Sequence, residues 1–428
     1  MRRTNVVAMS ALATLLVVLL VVASGVSRDS RRAANARAPR NSVEAGFAEL
    51  ALRDTQITVW HRALDADTGS ALVLGQLAAL HLQRAREGGG WADYLVADSL
   101  ARHSLARRTH RNGSTAVTLV NALLSQHRFT AARDVATDLV HREGDIPEYR
   151  ALLGEVSMEL GDDAIADSMY RSVWEYRLQP SMAPRVARWL EVTNHVGDAR
   201  TLLRYTRDQV IATRTVASET RAWFDLRLGD LELRAGNNRR ARAEYEAGLA
   251  IEPGDPRLFS AMARLSIAEG DAKTAISWGE RAISLQLDPA TLGLVGDAYA
   301  SVGDTAKADT YFQTLDVAVA LQPGAYHRAW ALSLLDHGLR VDTVLAKAAS
   351  ELDDRKDIYG YDVMAWSLFK AGRIAESRAM MDRALRFHTP DPLLLRHARE
   401  IDRAIASVNA AGSGTVRASV QAALPATR

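Results

Sequence analysis

The stretch LGDLELRAGNNRRARAEYEAGLAIEPGD, from Leu228 to Asp255, contains two glycines in what otherwise reads as two helices. Glycine inside a helix costs roughly 1 kcal/mol relative to alanine, so each glycine needs a structural reason. Gly236 lies where the first helix is predicted to end and the chain to reverse. Gly229 lies inside that helix, where the lack of a side chain lets the second helix pass close by.

The second of these glycines recurs along the chain at a nearly constant spacing. Glycines predicted to end one helix and precede the next are Gly161, Gly197, Gly236, Gly270, Gly303, Gly338 and Gly372. The spacings are 36, 39, 34, 33, 35 and 34 residues, and such a period is typical of a solenoid. The sequence around them predicts short amphipathic helices and no strands.

Each period also carries a large and a small residue side by side before the turn, and a small residue and often an aromatic or methionine after it. One unit has Leu228, Gly229, Gly236, Ala241, Tyr245 and Pro253 at these positions, and another has Leu153, Gly154, Gly161, Ala166 and Tyr170. This pattern resembles the tetratricopeptide repeat, a helix–turn–helix unit of about 34 residues. The resemblance implies an all-α, right-handed α-solenoid of helix-turn-helix repeats that makes about one superhelical turn.

The resemblance also divides the chain into segments. Residues 42–110 are predicted to form an N-terminal cap and an irregular repeat, 111–391 a tetratricopeptide-like array, 392–408 a C-terminal capping helix and 409–428 a disordered tail. The units predicted within the array are 113–146, 147–180, 183–216, 222–255, 256–288, 289–322, 324–357 and 358–391.

The amino terminus is predicted to be a membrane segment. Residues 6–26 contain no charged side chain and would span about 30 Å as a helix, the thickness of a bilayer core. Residues 1–26 are therefore either an uncleaved signal anchor or a cleaved signal peptide, and the length of the apolar run favours the anchor. Residues 27–41 are predicted to be a flexible tether.

The orientation of this segment has two interpretations. Two arginines precede the apolar run and five follow it, which by positive-inside counting favours a body on the cytoplasmic side. A basic start, an apolar run and small residues at its end are instead the ordinary arrangement of an export signal. We favour a membrane-tethered protein on the extracytoplasmic (periplasmic) side; the alternatives are the cytoplasmic side and secretion after cleavage.

The distribution of charge argues against nucleic-acid binding. The chain has 53 basic and 51 acidic residues, but residues 1–41 hold seven arginines and one aspartate. The remainder therefore carries 46 basic and 50 acidic side chains, a net charge of −4. A nucleic-acid-binding protein is expected to place a basic surface on its folded part, so the predicted partners exclude DNA and RNA.

Catalytic and metal-binding patterns are sparse. The chain has no cysteine, and its histidines include no H-E-x-x-H and no pair one helical turn apart, so no metal site is predicted. Phosphate- and dinucleotide-binding motifs do not occur either, and no cofactor is predicted. Ser367 and Lys370 match S-x-x-K, but the S-D-N and K-T-G partners of that motif do not occur in the sequence.

The resemblance implies that the first helix of each repeat lines a concave groove. The groove residues predicted to bind a protein partner are Trp223, Asp230, Asp297, Arg328, Tyr359, Asp362, Trp366 and Phe369. The aromatic residues of this set would suit a peptide or an amphipathic helix. The alternative for each tryptophan is packing between repeats, and Trp189 and Trp330 are predicted to lie in the core.

These observations predict a non-catalytic protein–protein interaction scaffold or adaptor. It would be exported, tethered to a membrane through residues 6–26, and would bind a peptide or helix in its groove. One alternative is a cytoplasm-facing membrane scaffold for enzyme-complex or secretion assembly. A less favoured alternative is a hydrolase that uses the groove, with Ser367 as nucleophile and Lys370 as base.

Overall fold

The computed structural model describes residues 41–88, 90–143, 146–213, 216–321 and 328–422, with side chains from 49 to 408. Every regular element in these ranges is helical, which confirms the predicted all-α fold. The predicted signal or anchor at 1–26 lies outside the described residues, as does the predicted tether apart from Asn41. None of the helices in the described ranges is long and apolar enough to cross a membrane.

The helices form antiparallel pairs. A single helix, α1 (Asn41–Ala66), precedes them. The pairs are α2 (Ala71–Arg86) with α3 (Trp91–Arg107), α4 (Gly113–Ser125) with α5 (Phe129–Glu143), α6 (Pro147–Leu160) with α7 (Asp163–Ser172), α8 (Ala183–Val192) with α9 (Val196–Ala212), α10 (Ser218–Arg234) with α11 (Asn238–Ile251), α12 (Pro256–Ala268) with α13 (Ala272–Leu285), α14 (Pro289–Ser301) with α15 (Thr305–Ala320), α16 (Arg328–Asp336) with α17 (Val341–Asp354), and α18 (Ile358–Lys370) with α19 (Ile374–Ala384). The helix α20 (Pro392–Ala422) follows the last pair.

A residue with positive φ lies in the turn inside each of these pairs, where it ends the first helix. These residues are Gly88, His127, Gly161, Asn194, Gly236, Gly270, Gly303, Gly338 and Gly372. The prediction that Gly197 has this role was wrong, because Gly197 lies in the first turn of α9 and Asn194 takes the left-handed conformation at φ 67°. Asparagine tolerates this conformation better than most residues, since its short polar side chain can hydrogen-bond locally.

The two helices of a pair approach most closely where the first helix has a small residue. A β-carbon built on Gly229 would lie 2.3 Å from Cε1 of Tyr245, and one on Gly296 would lie 2.6 Å from Cε1 of Phe312. The close approach predicted at Gly229 is therefore confirmed. Burial of the large residues stabilises the same interface: Leu228 is fully buried. Trp189 and Trp330 are each 8% exposed, which confirms their predicted place in the core.

The first helices of neighbouring pairs contact one another, for example α4 with α6 and α12 with α14. These contacts place the first helices on the inner side of the curved stack. The stack therefore forms an α-solenoid, as predicted, with the second helices on its outer side.

The curvature brings distant parts of the chain together at what we call the C-terminal junction, where residues 355–359 and 385–389 contact residues 158–163 and 188–192. The amide of Lys356 donates to the carbonyl oxygen of Leu160 at 3.0 Å. Arg386 pairs with Asp163 at 2.6 Å. The side chain of Ile358 is buried in the hydrophobic cluster that contains α8.

A second contact between distant segments, the N-terminal junction, joins residues 49–53 and 86–88 to residues 218–221 and 252–257. Glu49 of α1 accepts hydrogen bonds from the backbone amide and the hydroxyl of Ser218, 169 residues later. In the C-terminal junction the separations reach 197 and 223 residues. Neighbouring superhelical turns thus contact after roughly five to seven repeats of about 34 residues. The array therefore makes more than the single superhelical turn that the resemblance implies.

The last helix differs from the prediction in length. The capping helix was predicted to end at residue 408 and a disordered tail to follow, whereas α20 continues to Ala422. The chain has no proline between Pro392 and Pro425, so no residue in this stretch removes a helical hydrogen bond. The side chains of 409–422 and residues 423–428 lie outside the described part.

Candidate protein-binding surface

The inner face of the solenoid carries ion pairs that join one repeat to the next. Glu155 of α6 pairs with Arg185 of α8 at 2.7 Å. Asp230 of α10 pairs with Arg264 of α12 at 2.9 Å. In each pair the cation comes from the following repeat, so the face is a series of polar contacts that are already paired within the protein.

The densest of these contacts surrounds Glu191 on α8, which is 4% exposed. Arg188 lies 3.3 Å and Arg227 2.8 Å from its carboxylate, and Arg234 makes a third ion pair. Burial lowers the pKa of Arg227 and of Arg234, and the positive charge of Arg188 lowers both further. The predicted groove residue Asp230 belongs to the same network, since it accepts from Tyr245 at 2.9 Å and from Arg227 at 3.2 Å.

The predicted groove residues Arg328 and Asp362 form a buried polar group with His397 of α20. Asp362 and His397 are fully buried, and their side chains lie 2.7 Å apart. Arg328 lies 2.5 Å from the other carboxylate oxygen. Burial alone would raise the pKa of Asp362, but the Arg328 guanidinium and the hydrogen bond to His397 hold it below its usual value.

Trp366 is covered by α20 rather than exposed in the groove. Its ring stacks on Phe369 at 4.9 Å and on His397 at 4.2 Å, and its indole N–H donates to Asp336 at 2.8 Å. The indole is 5% exposed. The interpretation of Trp366 and Asp362 as surface residues was therefore wrong, because α20 packs on the face of α18 that carries them. Phe369 remains half-buried.

Tyr359 reaches across the inner space of the solenoid. Its ring lies between the guanidinium groups of Arg188, 5.2 Å away on α8, and Arg328, 5.0 Å away on α16. Trp223 packs against the same hydrophobic cluster as Tyr359 and meets Phe224 edge-on at 5.2 Å. Trp223 and Tyr359 therefore belong to one cluster, and the predicted groove is narrower where this cluster lies.

Asp297 lies apart from that cluster on α14. Its carboxylate lies 2.8 Å from Nε2 of His337, and both side chains are exposed. The ring of His337 packs on Phe312 at 4.8 Å. Of the predicted groove residues, Asp297 is the most accessible, while Trp223, Asp230, Arg328, Tyr359 and Phe369 are half-buried.

Ser367 does not have the geometry of a nucleophile. Its hydroxyl is buried and donates to the carbonyl oxygen of Val363 at 2.8 Å. The ammonium group of Lys370 lies over the ring of Trp366 at 5.0 Å. In the described part of the chain, no group of three or more histidine or acidic side chains is arranged to hold a metal ion.

The arrangement of the turns and interfaces decides the type of repeat. From Gly236 to Gly372 the turn residues with positive φ recur every 33 to 35 residues. The small residue of the first helix meets an aromatic ring of the second at Gly154, Gly229 and Gly296. This spacing and these contacts are those of a tetratricopeptide-like helix–turn–helix repeat.

Comparisons with known proteins find similar chains among solved structures only. A scan of protein-family models finds no model that matches, and a search of curated proteins finds no match. A tetratricopeptide repeat protein from Parabacteroides merdae is similar over 53% of this chain and 87% of its own, at 13% identity and a TM-score of 0.40. PilF of Pseudomonas aeruginosa covers 51% of this chain and 94% of its own, at 17% identity and a TM-score of 0.38. The P58(IPK) TPR domain covers 86% of this chain and 98% of its own, at 11% identity and a TM-score of 0.27.

The sequence did not reveal which inner-face residues meet across the solenoid. Arg188 and Tyr359 lie 171 residues apart in the chain. The only signal in the sequence is the high density of arginine, which does not show which residues pair with one another.

Proposed function

We propose that this tetratricopeptide-like repeat protein is a non-catalytic scaffold that binds a protein partner on the inner face of its first helices. The observation that carries the proposal is the regular placement of charged side chains on that face, one repeat after another, with Glu155, Glu191, Asp230, Arg264 and Asp297 in successive repeats. Repeat proteins use such extended concave surfaces for recognition.

The accessible part of this face extends from α10 to α14. Trp223 is half-buried on α10, Arg264 on α12 is 40% exposed and Asp297 on α14 is 56% exposed as side chains. An aromatic anchor beside paired charges suits a peptide or an amphipathic helix. Because the charges are already paired, a partner has to exchange these contacts for its own, which favours specificity over raw affinity.

We further propose that residues 6–26 tether the scaffold to a membrane, with the repeats on the periplasmic side. The uncharged and largely apolar run of this segment supports the proposal. The five arginines that follow the run support the second candidate, a cytoplasm-facing scaffold for enzyme-complex or secretion assembly. A reporter that is active only in the cytoplasm, fused to the C-terminus, separates the two: activity of the fusion contradicts the periplasmic orientation.

Site-specific photo-crosslinking in cells tests the binding surface. A photoreactive residue in place of Trp223 is expected to capture a defined partner. The matched control is the same residue in place of Trp174, which is 45% exposed in the 3-10 helix Trp174–Tyr176 after α7. The same partner captured equally from both positions, or capture from neither, contradicts the assignment of the inner face.

A further inference from the structure

A pocket of about 410 Å³ lies at the N-terminal junction, away from the inner face described above. Leu50 of α1, Pro253 of the loop between α11 and α12, Pro256 at the start of α12, and Leu285 of α13 provide apolar walls. Its size is within the range of small-molecule and side-chain pockets. The polar groups that converge on it decide what it can hold.

Ser218 stands between two carboxylates of this pocket. Its hydroxyl oxygen lies 2.8 Å from Oε2 of Glu49 and within hydrogen-bond distance of Oε2 of Glu252. A hydroxyl group has one hydrogen to donate. Glu49 also accepts from the backbone amide of Ser218 at 2.9 Å, but the two contacts of the hydroxyl oxygen are both favourable only if one carboxyl group carries a proton or another donor enters the pocket.

The other carboxylates around the pocket have their own cations. Arg257 pairs with Glu219 and Asp255 at 2.6 Å each, and Arg53 pairs with Glu87. Glu49 is more weakly held, with Arg221 at 4.0 Å. Glu252 has Ser218 as its partner, and in the described ranges no arginine or lysine forms an ion pair with it.

Glu252 lies among other carboxylates of the pocket, which Arg86 also lines. Burial raises the pKa of Glu252, and although the hydrogen bond from Ser218 lowers it, the negative charges of Asp255, Glu49 and Glu87 raise it again. A carboxyl group in this situation is stabilised either by a proton or by a cation placed beside it.

We propose that this pocket binds a guanidinium or ammonium group on an apolar stem, with Glu252 and Glu49 as its acceptors. A guanidinium group can donate to both carboxylates at once through its fork of N–H groups. The stem packs against Leu50, Pro253, Pro256 and Leu285. Arginine and lysine side chains have this chemistry.

Two sources of such a side chain exist. One is a basic segment of a protein partner. The other is this chain, because residues 27–41 contain five arginines and one acid and lead directly into α1, which carries Glu49 and Leu50.

The test uses the full-length protein in detergent and two small probes of the same shape, n-butylguanidinium and uncharged n-butylurea. In saturation-transfer NMR titrations, butylguanidinium is expected to bind with at least about tenfold higher affinity than butylurea, because only the cation forms charge-assisted hydrogen bonds with both carboxylates. Glu252→Gln is expected to abolish this preference. Glu376→Gln, which removes an exposed carboxylate on α19, is the control and is expected to retain it.

Equal binding of the two probes to the wild-type protein, or an unchanged preference in Glu252→Gln, overturns the proposal. A second variant of the full chain, Arg37→Gln/Arg40→Gln, distinguishes the sources. Tighter binding of butylguanidinium to this variant than to the wild type identifies the chain's own arginines as the occupant. Equal binding to both identifies a partner's basic segment.

Discussion

Gly229 and Gly161 both lie where a β-carbon would collide with another part of the chain, but they belong to two different kinds of interface. At Gly229 the obstacle is Cε1 of Tyr245, 2.3 Å away and sixteen residues later in the same helical pair. At Gly161 the obstacle is the carbonyl oxygen of Lys356, 2.2 Å away in the C-terminal junction. One contact is local and the other joins two superhelical turns.

The two interfaces differ in how often they occur. The contact inside the pair returns at Gly154 with Tyr170 and at Gly296 with Phe312. Within the described ranges the contact at Gly161 occurs once, and it depends on the summed rotation of every repeat between α6 and α18. Contacts between consecutive repeats are expected to dominate stability, as in other solenoids, and the junctions to add a smaller amount.

The largest expected effect is the loss of a contact between consecutive repeats. Asp362→Ala leaves Arg328 and His397 without their shared acceptor, so the free energy of unfolding is expected to fall by about 3–5 kcal/mol in urea titrations. Because the folded-state pKa of Asp362 is depressed, its contribution is present above the unfolded-state pKa and lost as pH falls through the folded value. Asp382→Ala, in an exposed pair with Arg378, is the control; a loss as large there would contradict the ranking.

The second effect depends on pH and concerns Asp225 of α10. Its side chain is buried where α10 packs between α9 and α11, and the residue is 1% exposed. Burial, opposed by Arg207 and reinforced by Glu244, raises the pKa of Asp225 from 3.8 to about 7. Between pH 3.8 and about 7 the folded state therefore binds more protons than the unfolded state, and the free energy of unfolding falls as pH rises through this range. Asp225→Asn is expected to remove roughly 2–4 kcal/mol of this dependence.

Urea unfolding at several pH values checks the prediction for Asp225. Asp208→Asn is the control, because Asp208 is exposed beside the same Arg207, and it is expected to keep the wild-type slope. An unchanged slope in Asp225→Asn shows that this carboxyl group titrates normally in the folded protein.

The third prediction tests packing inside a pair. Gly229→Ala is expected to destabilise the protein by up to roughly 2 kcal/mol, because a collision of roughly 1–3 kcal/mol with the buried Tyr245 ring exceeds the roughly 1 kcal/mol gained in helix propensity. Gly197→Ala is the control, since a β-carbon on Gly197 of α9 meets no atom within 4 Å. Its midpoint of thermal unfolding is expected to rise, and a rise in both variants contradicts the close approach.

The sequence predicted the contacts that recur at a fixed separation. Gly229 and Tyr245 could be paired because the same spacing returns at Gly154 and Gly296. Gly197 was misplaced because asparagine can take the left-handed turn position without leaving a glycine in the pattern.

The candidate surface was harder to predict than the fold. Position in the repeat placed Asp230 and Asp297 on the inner face, but Trp366 and Asp362 are covered by α20, which is not itself a repeat. The approach of Arg188 to Tyr359 depends on curvature accumulated over several repeats. No local pattern encodes that curvature.

The smallest expected effect isolates the C-terminal junction. Gly161 and Gly236 have nearly equal backbone conformations, with φ 78° and 75°, so alanine strains both alike. A β-carbon on Gly236 meets no atom within 4 Å, whereas one on Gly161 collides with Lys356. Gly161→Ala is therefore expected to cost roughly 1 kcal/mol more than Gly236→Ala, because only the contact across the C-terminal junction differs between the two sites.

Hydrogen exchange measures where this cost arises. The amide of Lys356 donates to Leu160 across the junction, so its exchange is expected to accelerate in Gly161→Ala and to stay unchanged in Gly236→Ala. Amides inside α6 and α18 are expected to keep their protection in both variants, since the pairs remain intact. Equal destabilisation by the two substitutions, with Lys356 exchanging freely in the wild type, would mean that the superhelical turns do not contact in solution and that stability comes from the stack of repeats alone.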